Sequence, residues 1–307
     1  MISYDGLEKR LAQRGLAKSD LTKLLGISSR TIAKIAKGEK LSRLIMKKLA
    51  VFFSCAETDL CREISDNPVL QRLRDEKNAK ISGGLYHELQ VRMTYNSNHM
   101  EGSCLTEAQT RMIFETHTVG AGEGIPVDDI LETVHHFRAI DYVIEVADEA
   151  LTEKVIKRLH YILKHDTTDE SLSWFAVGEY KKCPNVVGGK ETTRPEDVPA
   201  KMQELLENYN EKQQITIYDI ISFHAAFEKI HPFQDGNGRV GRLIALKECL
   251  RYNIIPFIIE DSKKYFYYRG LSEWEKEPGF LTDTCLDGQD TFQKLLQLFE
   301  LEKGKFS

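Results

Sequence analysis

No apolar run in this chain approaches the roughly 18 residues that a membrane-crossing helix needs, which excludes an integral helical membrane protein as the expectation. The first residues, MISYDGLEKRLAQRG, lack the apolar stretch of a secretory signal. Cysteine is sparse and scattered: Cys55, Cys61, Cys104, Cys183, Cys249 and Cys285 include no CxxC pair, which argues against a zinc ribbon and against a dense disulfide framework. There is no HExxH or comparable spacing for a zinc hydrolase, no internal repeat and no low-complexity tract. The expectation is a cytoplasmic protein with reduced thiols and no membrane partner.

What is present is a length of 307 residues, more than one typical domain, with 29% charged and 41% hydrophobic residues, ordinary for a globular chain. The net charge of -5 hides an asymmetry. Residues 1–65 hold 13 Lys and Arg against 7 Asp and Glu, whereas 66–307 hold 29 against 40. A basic head on an acidic body means that only the head is suited to nucleic acid. We therefore expect two domains, 1–65 and 66–307, with a linker around Asp66, Asn67 and Pro68, where the residue before proline disfavours helix.

In the head, helical patches are short and closely punctuated: LEKRLAQRG, SDLTKLLG, SSRTIAKIAKG and LSRLIMKKLAVFF. Leu21, Leu24 and Leu25 are expected to face inward, with Gly26 ending their helix and Ile27 plugging the turn. Ser28 or Ser29 then caps a second helix stopped by Gly38. Two short helices around a glycine turn form the helix-turn-helix unit, whose second helix enters the major groove. The stretch from Ser19 to Phe53 resembles the Cro-like repressor family. That resemblance implies duplex DNA as a partner, with Ser28, Ser29, Arg30, Thr31 and Lys34 at bases or phosphates and Lys37 and Lys40 on the backbone. A homodimer is the form in which such a unit binds tightly. A helical docking module without DNA affinity is the alternative.

The body reads as long amphipathic helices over about 69–96, 106–117, 127–149, 152–165, 196–211, 216–230, 238–252 and 290–303. In one of them Ile217, Ile220, Ile221, His224, Phe227 and Ile230 mark a buried face. The exception is YKKCPNVVGGKETTR, whose Pro184 and Gly188-Gly189 bracket a β-like Val186-Val187, read as a hairpin or flap over about 180–192. His224 and His160 lie on apolar faces and read as core hydrogen-bonding residues; His135-His136 read as a half-exposed helix pair.

The chemistry is concentrated in His231-Pro232-Phe233-Gln234-Asp235-Gly236-Asn237-Gly238-Arg239-Val240-Gly241-Arg242. Gly236 and Gly238 let backbone N–H groups turn together, and the following helix contributes its positive end, making an anion cradle. Asn237, Arg239 and Arg242 add donors, the arginines in a fork suited to phosphate. Asp235 is an oxygen ligand placed for Mg²⁺ across phosphates, and His231 is the group whose ordinary pKa lies near working pH.

These twelve residues match the pattern HxFx[DE]GNGRxxR of the Fic family at every fixed position, a coincidence expected by chance on the order of 10⁻⁸ times in such a chain. HFRAIDYVIE, LTEKVIKRLHYIL and GEYKKCPNVVGG extend the resemblance from about 81 to 275. It implies an all-α fold, a Fic helical core with a small β-hairpin flap, preceded by the small all-α helix-turn-helix domain. It further implies ATP and Mg²⁺ as the chemical partners, His231 as the base for a target hydroxyl, Asp235 as the metal ligand, and Gly236, Asn237, Gly238 and Arg239 as the phosphate site. Phe233 would anchor the loop. Asn185, Val186, Val187 and Gly188 would hold a target strand over the nucleotide, and Tyr267 and Tyr268 would flank adenine. Glu275 stands where an asparagine is expected near the base.

Upstream, Ser97-Asn98-His99-Met100-Glu101-Gly102 resembles the inhibitory pattern [ST]xxxE[GN] of the same family, within a segment of about 94–106; Ser103 replaces the usual asparagine after Gly102. The implied role is that Glu101 pairs with Arg242 and denies it to the γ-phosphate. The expected function is AMP transfer from ATP to a Ser, Thr or Tyr hydroxyl of a protein, this chain included among the candidate targets. Two alternatives stand beside it: AMP removal or transfer of another phosphate-containing group in the same site, and a DNA-binding regulator whose Fic-like body senses a ligand.

Overall fold

In the computed structural model, which describes residues 2–63, 67–120 and 124–300, backbone contacts divide the chain into two units, Met1–Asp66 and Asn67–Ser307. The first contains β1 (Ile2–Ser3), α1 (Asp5–Gln13), α2 (Asp20–Leu25), α3 (Ser29–Ala36), α4 (Arg43–Phe53) and β2 (Arg62–Glu63). Gly26 closes α2 in the left-handed conformation, at φ 63°, where a side chain is disfavoured. Ile27, buried, carries the chain into α3, and the Ser28 hydroxyl accepts the Thr31 N–H at 3.2 Å as its cap. The core is built from Leu7, Leu21, Ile27, Leu49 and Leu60. Leu24 corrects the inward-facing expectation: it is 51% exposed, because a helix of only six residues turns a single stripe, Leu21 and Leu25, toward the core. The two-residue antiparallel ladder, Ile2 to Glu63 and Ser3 to Arg62, was not expected from sequence.

The second unit comprises α5 (Pro68–Ala79), α6 (Leu85–Met100), α7 (Glu107–Thr116), α8 (Val127–Glu145), α9 (Glu153–Lys164), β3 (Val186–Val187), β4 (Lys190–Glu191), α10 (Val198–Asn210), α11 (Ile217–Ile230), α12 (Asn237–Arg251), α13 (Lys264–Glu273) and α14 (Gly279–Leu298). Asn67 and Pro68 begin a helix rather than a linker: the Asn67 carboxamide accepts the Leu70 N–H at 2.9 Å, and Pro68 occupies the first helical position. Asp66 lies outside the described residues. The helix expected over 69–96 is two, since Gly83 takes φ 73° and a side chain at Gly84 would collide with the Glu76 carboxylate that accepts the Tyr86 N–H. The last helix starts earlier than expected, at Gly279, and residues 301–303 lie outside the described region.

α12 is buried on nearly every side, packed among α6, α8, α9 and α11. Val240, Leu243, Ile244 and Leu246 join Phe227 and Phe233 in the main core. The fold thus drives a helix carrying Arg239 and Arg242 into the interior, so both guanidiniums must find partners there. The histidine pair is corrected too: His135 and His136 are 2% and 0% exposed, and His136 shares a 2.9 Å hydrogen bond with the Thr94 hydroxyl. The architecture is all-helical apart from two two-stranded ladders among the described residues. None of the described helices is long and apolar enough to cross a membrane.

Candidate active site

The loop from α11 to α12 is held from inside. α11 ends at His231, which takes a left-handed φ of 53°. Phe233 is fully buried and stacks on His160, ring centroids 4.0 Å apart and nearly parallel. The Asn237 carboxamide closes the loop by accepting the Phe233 N–H at 2.8 Å and donating to the Phe233 carbonyl at 2.9 Å. Both ends of that side chain are engaged and it is 1% exposed, so Asn237 acts as a clamp and its side chain is not a phosphate donor, contrary to the sequence reading. Gly236, at φ 77°, starts α12 and presents the backbone of the cradle.

On one side of that cradle, Asp235 accepts from Lys164 Nζ at 2.8 Å and from Arg239 Nη2 at 3.1 Å. Arg239 also pairs with Glu132 on α8, and Lys164, from the end of α9, reaches Glu132 at 2.6 Å and Asp169 at 2.5 Å. Burial opposes ionisation of Asp235, yet the Arg239 and Lys164 charges outweigh it and hold the carboxyl well below its usual range. Asp235 is half exposed, and one oxygen each of Glu132, Asp169 and Asp235 lie within 4.8 Å of one another. An ionised, accessible carboxylate with two more beside it fits a hard divalent cation such as Mg²⁺.

On the other side, Arg242 Nη2 donates to Glu101 Oε1 at 2.7 Å and to the Ser97 carbonyl at 3.0 Å, while Nε donates to the Ser97 hydroxyl at 3.0 Å. Glu101 follows directly on α6, whose last turn supplies Ser97. Burial works against the guanidinium charge; Glu101 and the Tyr267 oxygen more than compensate and raise its pKa. Gly238 makes this approach sterically feasible, since a Cβ there would run into the Glu101 carboxylate and lie 2.9 Å from Arg242 Nη1. Beneath lie His224, whose Nε2 is 2.7 Å from the Tyr267 hydroxyl, and Glu228, whose carboxyl burial pushes up to about 8 against the pull of Arg242.

His231, at the head of the loop, is held neutral. Burial lowers its pKa to about 4, helped by the Lys181 ammonium and resisted by the Glu228 carbonyl. Lys181, itself lowered to about 8 by burial, donates to Asn185 Oδ1 at 2.8 Å and to the Thr192 hydroxyl at 2.6 Å, pinning the base of the flap. Above it Val186 and Val187 are 63% and 48% exposed on β3, paired with β4 through Gly188 and Gly189, both at positive φ.

The two tyrosines part company. Tyr267 is 0% exposed with its hydroxyl committed to His224 and Arg242, so its ring is out of reach of a base and the adenine expectation is corrected for it. Tyr268 is 39% exposed and donates to the Met100 carbonyl at 3.1 Å. Glu275 pairs with Lys229 at the surface. In the first unit, Ser29 and Arg30 are exposed, Thr31 and Lys34 half-buried, and the Ser28 hydroxyl is taken up in the α3 cap. Sequence reasoning missed Glu132, Lys164, Asp169 and Lys181. The only signal any of them offered was a charged residue within an otherwise apolar helical face, as at Lys164 in KRLHYILK.

The site thus brings a neutral histidine, an ionised carboxylate and the first turn of a buried helix together in an all-helical unit. Residues 150–249 match the Fic/DOC family, and residues 6–66 match the Cro/C1-type HTH DNA-binding domain. The chain therefore carries a Fic/DOC domain behind a Cro/C1-type helix-turn-helix domain. It is 31% identical over 181 residues to a protein adenylyltransferase Fic of Drosophila grimshawi and 28% identical over 186 residues to one of Aedes aegypti, covering 58% and 59% of this chain and 36% of each relative. The chain thus spans about a third of the length of the curated relatives it matches. A Fic domain containing signalling protein of Bacteroides thetaiotaomicron superposes with a TM-score of 0.56 at 26% identity, over 75% of this chain and 90% of that one. Fic-1 of C. elegans, at 19% identity and a TM-score of 0.59 over 92% and 81%, is a likeness of fold alone.

Proposed function

We propose that this chain is a protein adenylyltransferase that transfers AMP from ATP to a protein hydroxyl, restrained by Glu101. The observation that carries the reading is the arrangement around α12: a neutral His231, an ionised Asp235 and the Gly236 to Gly238 backbone converge where a polyphosphate would lie. His231 takes the proton of the target Ser, Thr or Tyr hydroxyl, and that oxygen attacks the α-phosphate as the bond to pyrophosphate breaks. Asp235 is the residue that would hold Mg²⁺, which supplies charge neutralisation across the phosphates. Val186 and Val187 leave an edge on which a target segment pairs as a strand, and Tyr268 is the remaining aromatic candidate beside the base. Glu101 holds the guanidinium of Arg242 that the γ-phosphate would otherwise engage, leaving the nucleotide out of line. The test is incorporation of α-labelled ATP into this protein and into cell lysate, by wild type and by Glu101→Gly. Label retained on protein supports transfer; release of AMP from modified protein without incorporation assigns the site to removal instead.

For the first unit the proposed role is binding of duplex DNA through the exposed face of α3, with Ser29 and Arg30 foremost. The basic excess of residues 1–65 supports it. A gel shift that fails to weaken with salt, or no shift by the full chain, removes that role.

A further inference from the structure

Lys164 has no part in the reading above, yet it lies at the centre of the acidic side of the site. Its ammonium, on a side chain 3% exposed, touches three carboxylates from three separate segments: Glu132 at 2.6 Å, Asp169 at 2.5 Å and Asp235 at 2.8 Å. These are the same three groups whose oxygens lie close enough together to share one metal ion. The tether is firm, since Lys164 closes α9 and its carbonyl accepts the Thr167 hydroxyl at 2.8 Å. The charge balance is informative. Three carboxylates against Lys164 and Arg239 leave one net negative charge; without the lysine the same cage carries two, the charge a divalent ion neutralises.

We propose that Lys164 is a tethered cation that fills the Glu132, Asp169 and Asp235 cage and thereby keeps a divalent ion from binding until nucleotide brings it. A free divalent ion approaching Asp235 meets an ammonium already in contact with the same oxygen, and at such separations like charges repel strongly inside a protein. An ion that arrives on a polyphosphate carries compensating negative charge and needs only the exposed edge of Asp235. Lys164 is in this sense a positioning residue, which sets the order in which metal and nucleotide enter. The inference rests on the assignment of Asp235 as the metal ligand.

The experiment is a titration of the full chain, free of nucleotide, with Mn²⁺ followed by electron paramagnetic resonance, so that the readout is binding and not turnover. Lys164→Met is expected to bind one Mn²⁺ roughly tenfold or more tightly than wild type. Lys164→Arg, which keeps the charge, is expected to stay as weak as wild type, and Asp235→Asn placed in the Lys164→Met chain is expected to abolish the gain. If Lys164→Met fails to fold, judged by its melting, Lys164→Gln keeps hydrogen bonds to the cage and takes its place. No gain in the folded neutral variant, or a gain that survives Asp235→Asn, overturns the inference. Its failure is separable from failure of the transferase reading: AMP transfer by Glu101→Gly alongside no Mn²⁺ gain sinks only the cage, whereas a Mn²⁺ gain with no transfer by any variant sinks only the transferase.

Discussion

Arg239 and Arg242 stand one turn apart on the same helix, both nearly fully buried, yet they are held in different ways. Arg239 belongs to a closed set of charges with Glu132, Asp235 and Lys164. Among the described residues Arg242 has a single carboxylate partner within ion-pair distance, Glu101, whose side chain is a quarter exposed and sits where a helix has just ended; its other partners, Ser97 and Tyr267, are neutral. A guanidinium in a closed set is part of the scaffold. One whose charge is matched by a single accessible residue, with neutral acceptors behind it, can exchange that residue for a ligand at little cost.

The comparison is sharpened first by a variant that touches neither arginine. His231→Ala is expected to lower transfer by about 10² to 10⁴-fold with Mg-ATP binding nearly unchanged, as measured by labelled-nucleotide incorporation beside a binding assay. Wild-type rates in that variant would remove His231 from the chemistry. Next, Glu101→Gly is expected to raise transfer by about tenfold or more, because repositioning alone moves such rates by orders of magnitude. Arg242→Ala breaks the same pair and also removes the guanidinium proposed to engage the γ-phosphate, so it should give no activation. Equal rates for wild type and Glu101→Gly would show that the pair restrains nothing.

Stability separates the two arginines as well. Glu101→Ala leaves the buried Arg242 with only the neutral Ser97 and Tyr267 and should cost about 3 to 5 kcal/mol, while Glu132→Ala leaves Arg239 and Lys164 still paired with Asp235 and Asp169 and should cost about 1 kcal/mol. Chemical denaturation of both variants checks the difference, and equal losses would break the distinction between scaffold and switch. The smallest effect is in pH. With the His231 pKa lowered to about 4 by burial and Lys181, the base form persists as pH falls. Transfer by Glu101→Gly should therefore stay level down to the neighbourhood of 4 and drop below it, whereas an ordinary histidine would give a limb near 6.5. Lys181→Met, which removes a repelling charge, should move the limb upward.

Most of the candidate site was legible because the residues from His231 to Arg242 are consecutive, so a run of glycines, arginines and an acid is visible without the fold. Glu101 was legible only through its pattern and its place upstream. Glu132, Lys164 and Asp169 were not, because they reach Asp235 from separate segments and each alone looks like a solvated charge. Asn237 and Tyr267 were misassigned for one reason: composition marks a donor or a ring, and only packing says whether it faces a ligand or the interior. Of the fold, helix periodicity located the body's segments; the break at Gly83 and Gly84 was lost because amphipathic character continues on both sides of it. The flap was legible from Val186-Val187 and its two glycines.

The clamp formed by Asn237 has a bearing on chemical ageing. Asparagine followed by glycine is the sequence most prone to spontaneous deamidation, which begins when the next backbone nitrogen attacks the side-chain carbonyl. Here that carbonyl is tied to the Phe233 N–H and the nitrogen that follows lies in the first turn of a helix. The folded protein shields a bond that its unfolded chain would lose, and every excursion out of the native state exposes it. Since deamidation would turn the donor on the Phe233 carbonyl into an acceptor, storage damage in this protein would be felt first in the loop between α11 and α12.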